Sequence, residues 1–113
     1  MTTGNDLRKL ALAMAVGLCD AIGEGAISVD EASHYLFSPR TMRLFSSDQE
    51  VAGIIHLATE FEDLVQLAPD ALPDAVADVK RRAIVALKAT PPMRLPAGLL
   101  VGRAGPNPGL IRV

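Results

Sequence analysis

The chain of 113 residues contains no tryptophan, one tyrosine, three phenylalanines and one cysteine. With so few aromatics, its core must be built from Leu, Ala, Val and Ile, a mixture that suits close-packed helices better than sheets with β-branched and aromatic faces. The lone Cys19 forms no internal disulfide, which fits a reducing compartment. At this length a single domain buries about two-thirds of its unfolded surface, and no covalent staple is required. A Gly-x-Ser-x-Gly elbow, a phosphate loop and a dinucleotide fingerprint are all missing, which weighs against an enzyme. Long hydrophobic runs are missing too. The ten uncharged residues Leu10 to Cys19 are too few to span a bilayer. They follow Arg8-Lys9, as the apolar part of an export signal would, yet Leu18 stands before the cysteine where a lipoprotein signal has Gly, Ala or Ser. The expectation is a cytoplasmic protein without membrane association, whose first helix is buried on most sides.

What the chain does have is a partition of charge. Residues 80–113 carry seven Lys or Arg and no acid, whereas residues 44–79 carry eight acids and no Lys or Arg, so the net charge of −2 conceals an acidic middle and a basic end.

Hydrophobic spacing and capping signals give an all-α reading, a bundle of four or five helices over residues 1–90. Leu7, Leu10, Ala11, Met14, Gly17, Leu18, Ala21 and Ile22 form the stripe of a first helix, widened by Leu12, Val16 and Cys19. Asn5 or Asp6 is placed to cap it, and Gly23 or Gly25 to stop it. Ser28-Val29-Asp30-Glu31 is a capping box for a helix to about Phe37, and Ser38-Pro39 opens a short one through Phe45. Ser47 or Asp48 starts a long helix with Val51, Ile54, Ile55, Ala58, Phe61, Leu64, Val65 and Ala68 on its buried side. Pro69 ends that helix, and Pro73 opens a last one to about Lys88 with Leu72, Val76, Val79, Ala83 and Leu87 inward. Residues 91–113 contain five prolines and form an extended arm rather than a helix. Leu95, Leu99, Leu100, Val101, Leu110, Ile111 and Val113 are too apolar for a solvated tail. The arm is expected to dock, with Leu99, Leu100 and Val101 as contacts, on its own bundle or on another subunit in a homodimer.

The order Ile27-Ser28-Val29-Asp30-Glu31-Ala32, then Tyr35-Leu36-Phe37-Ser38-Pro39, then His56-Leu57-Ala58-Thr59-Glu60-Phe61-Glu62-Asp63 resembles a family of small, all-helical bacterial proteins with no assigned activity. The likeness covers about residues 10 to 88. It implies a helical fold and a bacterial source, and leaves the stretch after Thr90 unexplained.

Four chemistries compete for the polar residues. Glu31 and His34 are three apart, and His56 and Glu60 four apart, so each pair shares a helical face, as in carboxylate-bridged di-metal bundles. Those bundles need two further glutamates, and the first helix offers only Asp20 and Glu24 near its end. The plainer reading leaves Glu31 to its cap, His34 at a surface and Glu60 beside His56. Cys19 sits among apolar residues, where packing rather than nucleophilic chemistry is the common role. Lys80, Arg81, Arg82 and Lys88, with Arg94 and Arg103 beyond, form a basic end that would suit phosphates. No aromatics are interleaved for base stacking, however, and the acids upstream repel a nucleic-acid backbone. The favoured reading is a protein-interaction module, inhibitory or immunity-like. Its acidic face of Glu60, Glu62, Asp63 and Asp70 would meet a basic protein, with no cofactor. A metal protein using Glu31, His34, His56 and Glu60 is the rival, and weak nucleic-acid binding comes third.

Overall fold

In a computed structural model the described residues are 3–92, and they contain helices and turns with no strand. The chain runs through α1 (Thr3–Gly23), α2 (Val29–Tyr35), α3 (Pro39–Leu44), α4 (Gln49–Thr59), α5 (Phe61–Leu67), a 3-10 turn (Pro69–Ala71) and α6 (Leu72–Lys88). The expected arm, with Leu99, Leu100 and Val101, lies outside the described residues from residue 93 onward.

Local chemistry explains most of the boundaries. Ser28 Oγ accepts from the Glu31 amide at 3.0 Å, Ser38 Oγ from the Thr41 amide at 3.2 Å, and Asp48 Oδ1 from the Val51 amide at 3.2 Å. Each supplies a partner to an N–H that the first turn of a helix leaves open. The serine half of the expected capping box is therefore formed, whereas the Glu31 carboxylate accepts from the Tyr35 hydroxyl at 2.8 Å. α1 closes with Gly25 at φ 75°. The Ala26 amide reaches back to Ala21 O at 2.8 Å and the Gly25 amide to Ile22 O at 3.0 Å, the paired bonds of a Schellman stop.

The first difference from the sequence pattern is at Glu60. One long helix was the expectation, but α4 ends at Thr59, the Glu60 amide bonds to Leu57 O at 3.2 Å in a tighter turn, and α5 begins at Phe61. Apolar spacing runs through this break unchanged because Phe61 belongs to the core on either side of it. Its ring is fully buried and meets Phe37 edge-on, with centroids 5.8 Å apart and planes at 88°. Beyond Phe61 the helix leaves the core, and Val65 and Ala68, expected on the buried side, are exposed.

The second difference is in α1. Its innermost line is Ala11, Leu12, Ala15 and Cys19, while Leu7, Met14 and Gly17 lie on the solvent side. A helix with an almost uninterrupted apolar sequence gives no contrast by which periodicity could choose one face. α1 packs most extensively on α6, whose Val76, Val79, Ala83 and Ala86 face it and the rest of the core. The two run antiparallel, with Lys80 and Asp20 paired at 2.6 Å near one end and Arg8 and Thr90 in contact at the other.

Arg8 ties that second end together. Its half-buried guanidinium donates to Asp48 Oδ1 at 2.8 Å and Oδ2 at 2.6 Å, to Glu50, and through Nε to Thr90 Oγ1 at 3.0 Å. Thr90 Oγ1 in turn donates to Ala86 O at 2.8 Å, and Lys9 Nζ donates to Thr90 O at 2.9 Å. Burial by itself would raise the Asp48 carboxyl, but the Arg8 bond and charge and the amides of Val51 and Glu50 outweigh it and hold the group below the ordinary carboxylate range. Stability from a depressed carboxylate is present above its unfolded pKa and disappears as pH falls through the folded one. Asp48→Ala removes both a helix cap and the main partner of Arg8, and should lower stability at pH 7 by about 2 kcal/mol in urea denaturation. The gap to wild type should begin to narrow as pH falls into the ordinary carboxylate range, where the unfolded chain starts to take up the proton, and should close further as pH falls through the lower folded pKa of Asp48.

Candidate functional site

The acids of residues 44–79 divide into two groups once their partners are known. Asp48 and Glu50 are engaged by Arg8, and Asp78 by Arg81 and by Arg82 at 2.8 Å. Glu60 lies 3.8 Å from His56 across one exposed helical turn. Glu62, Asp63, Asp70 and Asp74 have no ion pair with any described residue, and all four are exposed. Uncompensated negative charge is therefore concentrated on α5, the 3-10 turn and the start of α6.

That segment stands out in a second way. Phe61 anchors it and Leu64 is half-buried, but every other residue from Glu62 to Ala71 is exposed. Glu62 and Asp63 occupy the first turn of α5, where negative charge suits the helix dipole. Among them Val65 is 46% exposed and Leu67 81% exposed. Exposed aliphatic side chains in a segment of uncompensated acids make α5 and the 3-10 turn the candidate docking surface.

The candidate metal ligands are not gathered. His34 and His56 both lie at the surface, His34 Nδ1 within 2.9 Å of Asp30 O and His56 beside Glu60, while Glu31 is bonded to Tyr35. No three His, Cys, Asp or Glu side chains among the described residues come together in a group able to hold a metal ion. Cys19 is 1% exposed at the edge of a recess of about 370 Å³ between α1 and α6. Burial, with the nearby Asp20 charge and against that of Lys80, pushes its thiol up to about 12. A thiol so far from ionisation is a packing group.

Three of the four basic residues of α6 are locally paired, Lys80 with Asp20 and both Arg81 and Arg82 with Asp78, beside a groove of about 540 Å³ between α4 and α6, while the exposed Lys88 has no ion pair with a described residue. The role of Arg8 was not foreseen in the sequence, because its partners lie 40, 42 and 82 positions away and no local spacing records them. Among the described residues no helix is long and apolar enough to cross a membrane.

A family model described as "Protein of unknown function (DUF3969)" matches residues 2–98 of the chain, a wider span than the resemblance at about residues 10 to 88 and one that passes Thr90. No curated protein and no solved structure matches it.

Two measurements follow from these placements. Cys19 should react with Ellman's reagent at least about a hundredfold more slowly in the native protein than in denaturant. Replacing His34 and His56 together by Ala should change stability by less than about 0.5 kcal/mol, as expected of exposed side chains outside a bonded network. Loss of a stoichiometric metal in that variant, detected by elemental analysis, would contradict this placement.

Proposed function

Because the chain belongs to the DUF3969 family, whose function is unknown, its role has to be read from its own surface, and we propose that it is a cytoplasmic protein-interaction module. It binds a basic protein partner through α5 and the Pro69–Ala71 turn. One observation carries the reading: Leu67, 81% exposed, lies in a segment whose carboxylates Glu62, Asp63 and Asp70 have no cation among the described residues. An exposed leucine gains hydrophobic free energy only when another surface covers it. Unpaired carboxylates nearby accelerate encounter with a cationic surface and oppose an acidic one. An inhibitory or immunity-type role fits this division of labour, with charge steering the approach and Val65 and Leu67 closing over a recess beside a partner's basic site.

Compensation on α6 favours this reading over nucleic-acid binding. Phosphates recruited there would have to displace Asp20 from Lys80 and Asp78 from Arg81 and Arg82. The metal reading is disfavoured by the separation of Glu31 and His34 from His56 and Glu60.

Affinity capture from the native cell tests the proposal with three forms of the full chain: wild type, Glu62→Lys with Asp63→Lys, and Leu67→Ala. A control Glu24→Lys alters an exposed acid in the turn after α1. The specific partner should be retained by wild type and control, lost on charge reversal, and bound about 10- to 100-fold more weakly by Leu67→Ala. Its affinity should fall with added salt. Capture unaffected by all of these changes would sink the assignment.

A further inference from the structure

We propose that the outward face of α6, in its C-terminal half, receives the acidic α5 segment of a second copy of this chain, so that the protein associates with itself through two unlike faces. The inference rests on the reading of α5 as a docking surface and assigns to the same chain a face of opposite charge that fits it.

The outward side of α6 combines exposed aliphatic groups with cations. Val85 is 58% exposed and Ala77 is exposed, and with the partly covered Ile84 they line a recess of about 350 Å³ whose other walls are Lys80, Arg81 and Lys88. No acid lines this recess. The wider groove toward α4 includes Glu50, which shares Arg8 with Asp48, so the cationic character is strongest on the narrower side.

Charge on this face does not cancel. Asp78 is a single carboxylate shared by Arg81 and Arg82, which leaves one positive charge in excess. Lys88 adds another, because it is exposed and has no ion pair with a described residue. Lys80 is balanced by Asp20. So small an excess is too little to hold a nucleic-acid backbone, which needs an array of cations, but it is enough to orient a small acidic patch.

The segment of α5 has the opposite composition, with Val65 and Leu67 exposed among the unpaired Glu62, Asp63 and Asp70. The two faces are opposite in sign and alike in having aliphatic groups left to cover. Within one chain they do not satisfy each other, since no ion pair among the described residues joins α5 to a cation of α6. Their attraction is therefore left for contact between copies. Each copy brings both halves, so a reciprocal pair uses the contact twice.

Sedimentation of the purified full chain tests this with four samples: wild type, an α5 variant (Glu62→Lys with Asp63→Lys), an α6 variant (Arg81→Glu with Lys88→Glu), and an equimolar mixture of the two variants. Wild type should associate at about 0.1 mM in low salt, as a small transient contact does, and dissociate as salt is added. Each variant alone should be monomeric, because like charges then face each other. The mixture should associate again, because reversed α5 meets reversed α6 and the two unaltered faces also match. Lys88→Glu alone breaks no ion pair among the described residues and should weaken association at least about threefold, which decides the matter if a double variant loses its helical circular dichroism. A monomeric wild type at that concentration would overturn the proposal. So would association that survives reversal of α6, or a mixture that stays monomeric while both variants keep their helices. No foreign partner enters these samples, so association untouched by α6 reversal ends this inference and leaves the α5 reading to its own capture experiment.

Discussion

A half-buried guanidinium cannot stand without carboxylates, and the way Arg8 meets that requirement sets the frame of this molecule. Asp48 and Glu50 come from the start of α4, and Thr90 from the end of α6, so one side chain on α1 fixes three segments that the sequence keeps far apart. The pair with Asp48 also fixes a helix start, because the same carboxylate accepts the Val51 amide. With Lys80 of mid-α6 paired to Asp20 near the C-terminal end of α1, the antiparallel α1–α6 pair is pinned at two separated points and an apolar stretch closes between them. Neither pin supplies the main driving force, which comes from burial of Leu12, Val51, Ile55, Val79 and their neighbours. The pins select the register in which that burial occurs.

The same arrangement decides which charges remain for other molecules. Arg8 and the α6 arginines consume Asp48, Glu50 and Asp78, and Lys80 consumes Asp20. Of the acids in residues 44–79, those left without an ion pair among the described residues lie beyond the break at Glu60, on α5, the 3-10 turn and the start of α6. Phe61 is the hinge of this division. Its ring is locked against Phe37, and the seven-residue α5 extends from it with only Leu64 partly covered. A short helix held at one end and hydrated along most of its length gains little from its own hydrogen bonds, so its stability depends on that aromatic contact.

Sequence and structure agree where the physics is local. Ser28, Ser38 and Asp48 cap helices, Pro39 and Pro73 open them, and Gly25 closes one, because each signal depends on a few adjacent residues. The all-α architecture was legible for the same reason. Disagreement arises where the answer depends on what lies opposite. Glu60 carries no Gly or Pro to mark a break, so the bend into Phe61 leaves no trace in the apolar spacing. In α1 nearly every position is apolar, and sequence alone cannot assign an inside. At the candidate site, Glu62, Asp63 and Asp70 were legible as an acidic run, but the exposure of Val65 was not, since it fits a helical stripe continued past the break, and Leu67 lies outside that stripe.

The two misread segments share a physical cause with different consequences. In each, the sequence contains more apolar surface than the described bundle covers, on α5 because the helix turns away and on α1 because only one side meets α6. Surplus apolar area in a small domain is a demand for a further surface, and the chemistry around it constrains what that surface is. Around α5 the surplus is bordered by unpaired acids, which repel acidic surfaces and select a cationic one. Along α1 it is bordered by no charge over ten residues, which gives little electrostatic selectivity. An uncharged face on α1 and an acid-bordered face on α5 are therefore two forms of the same excess, differing in the charge around it.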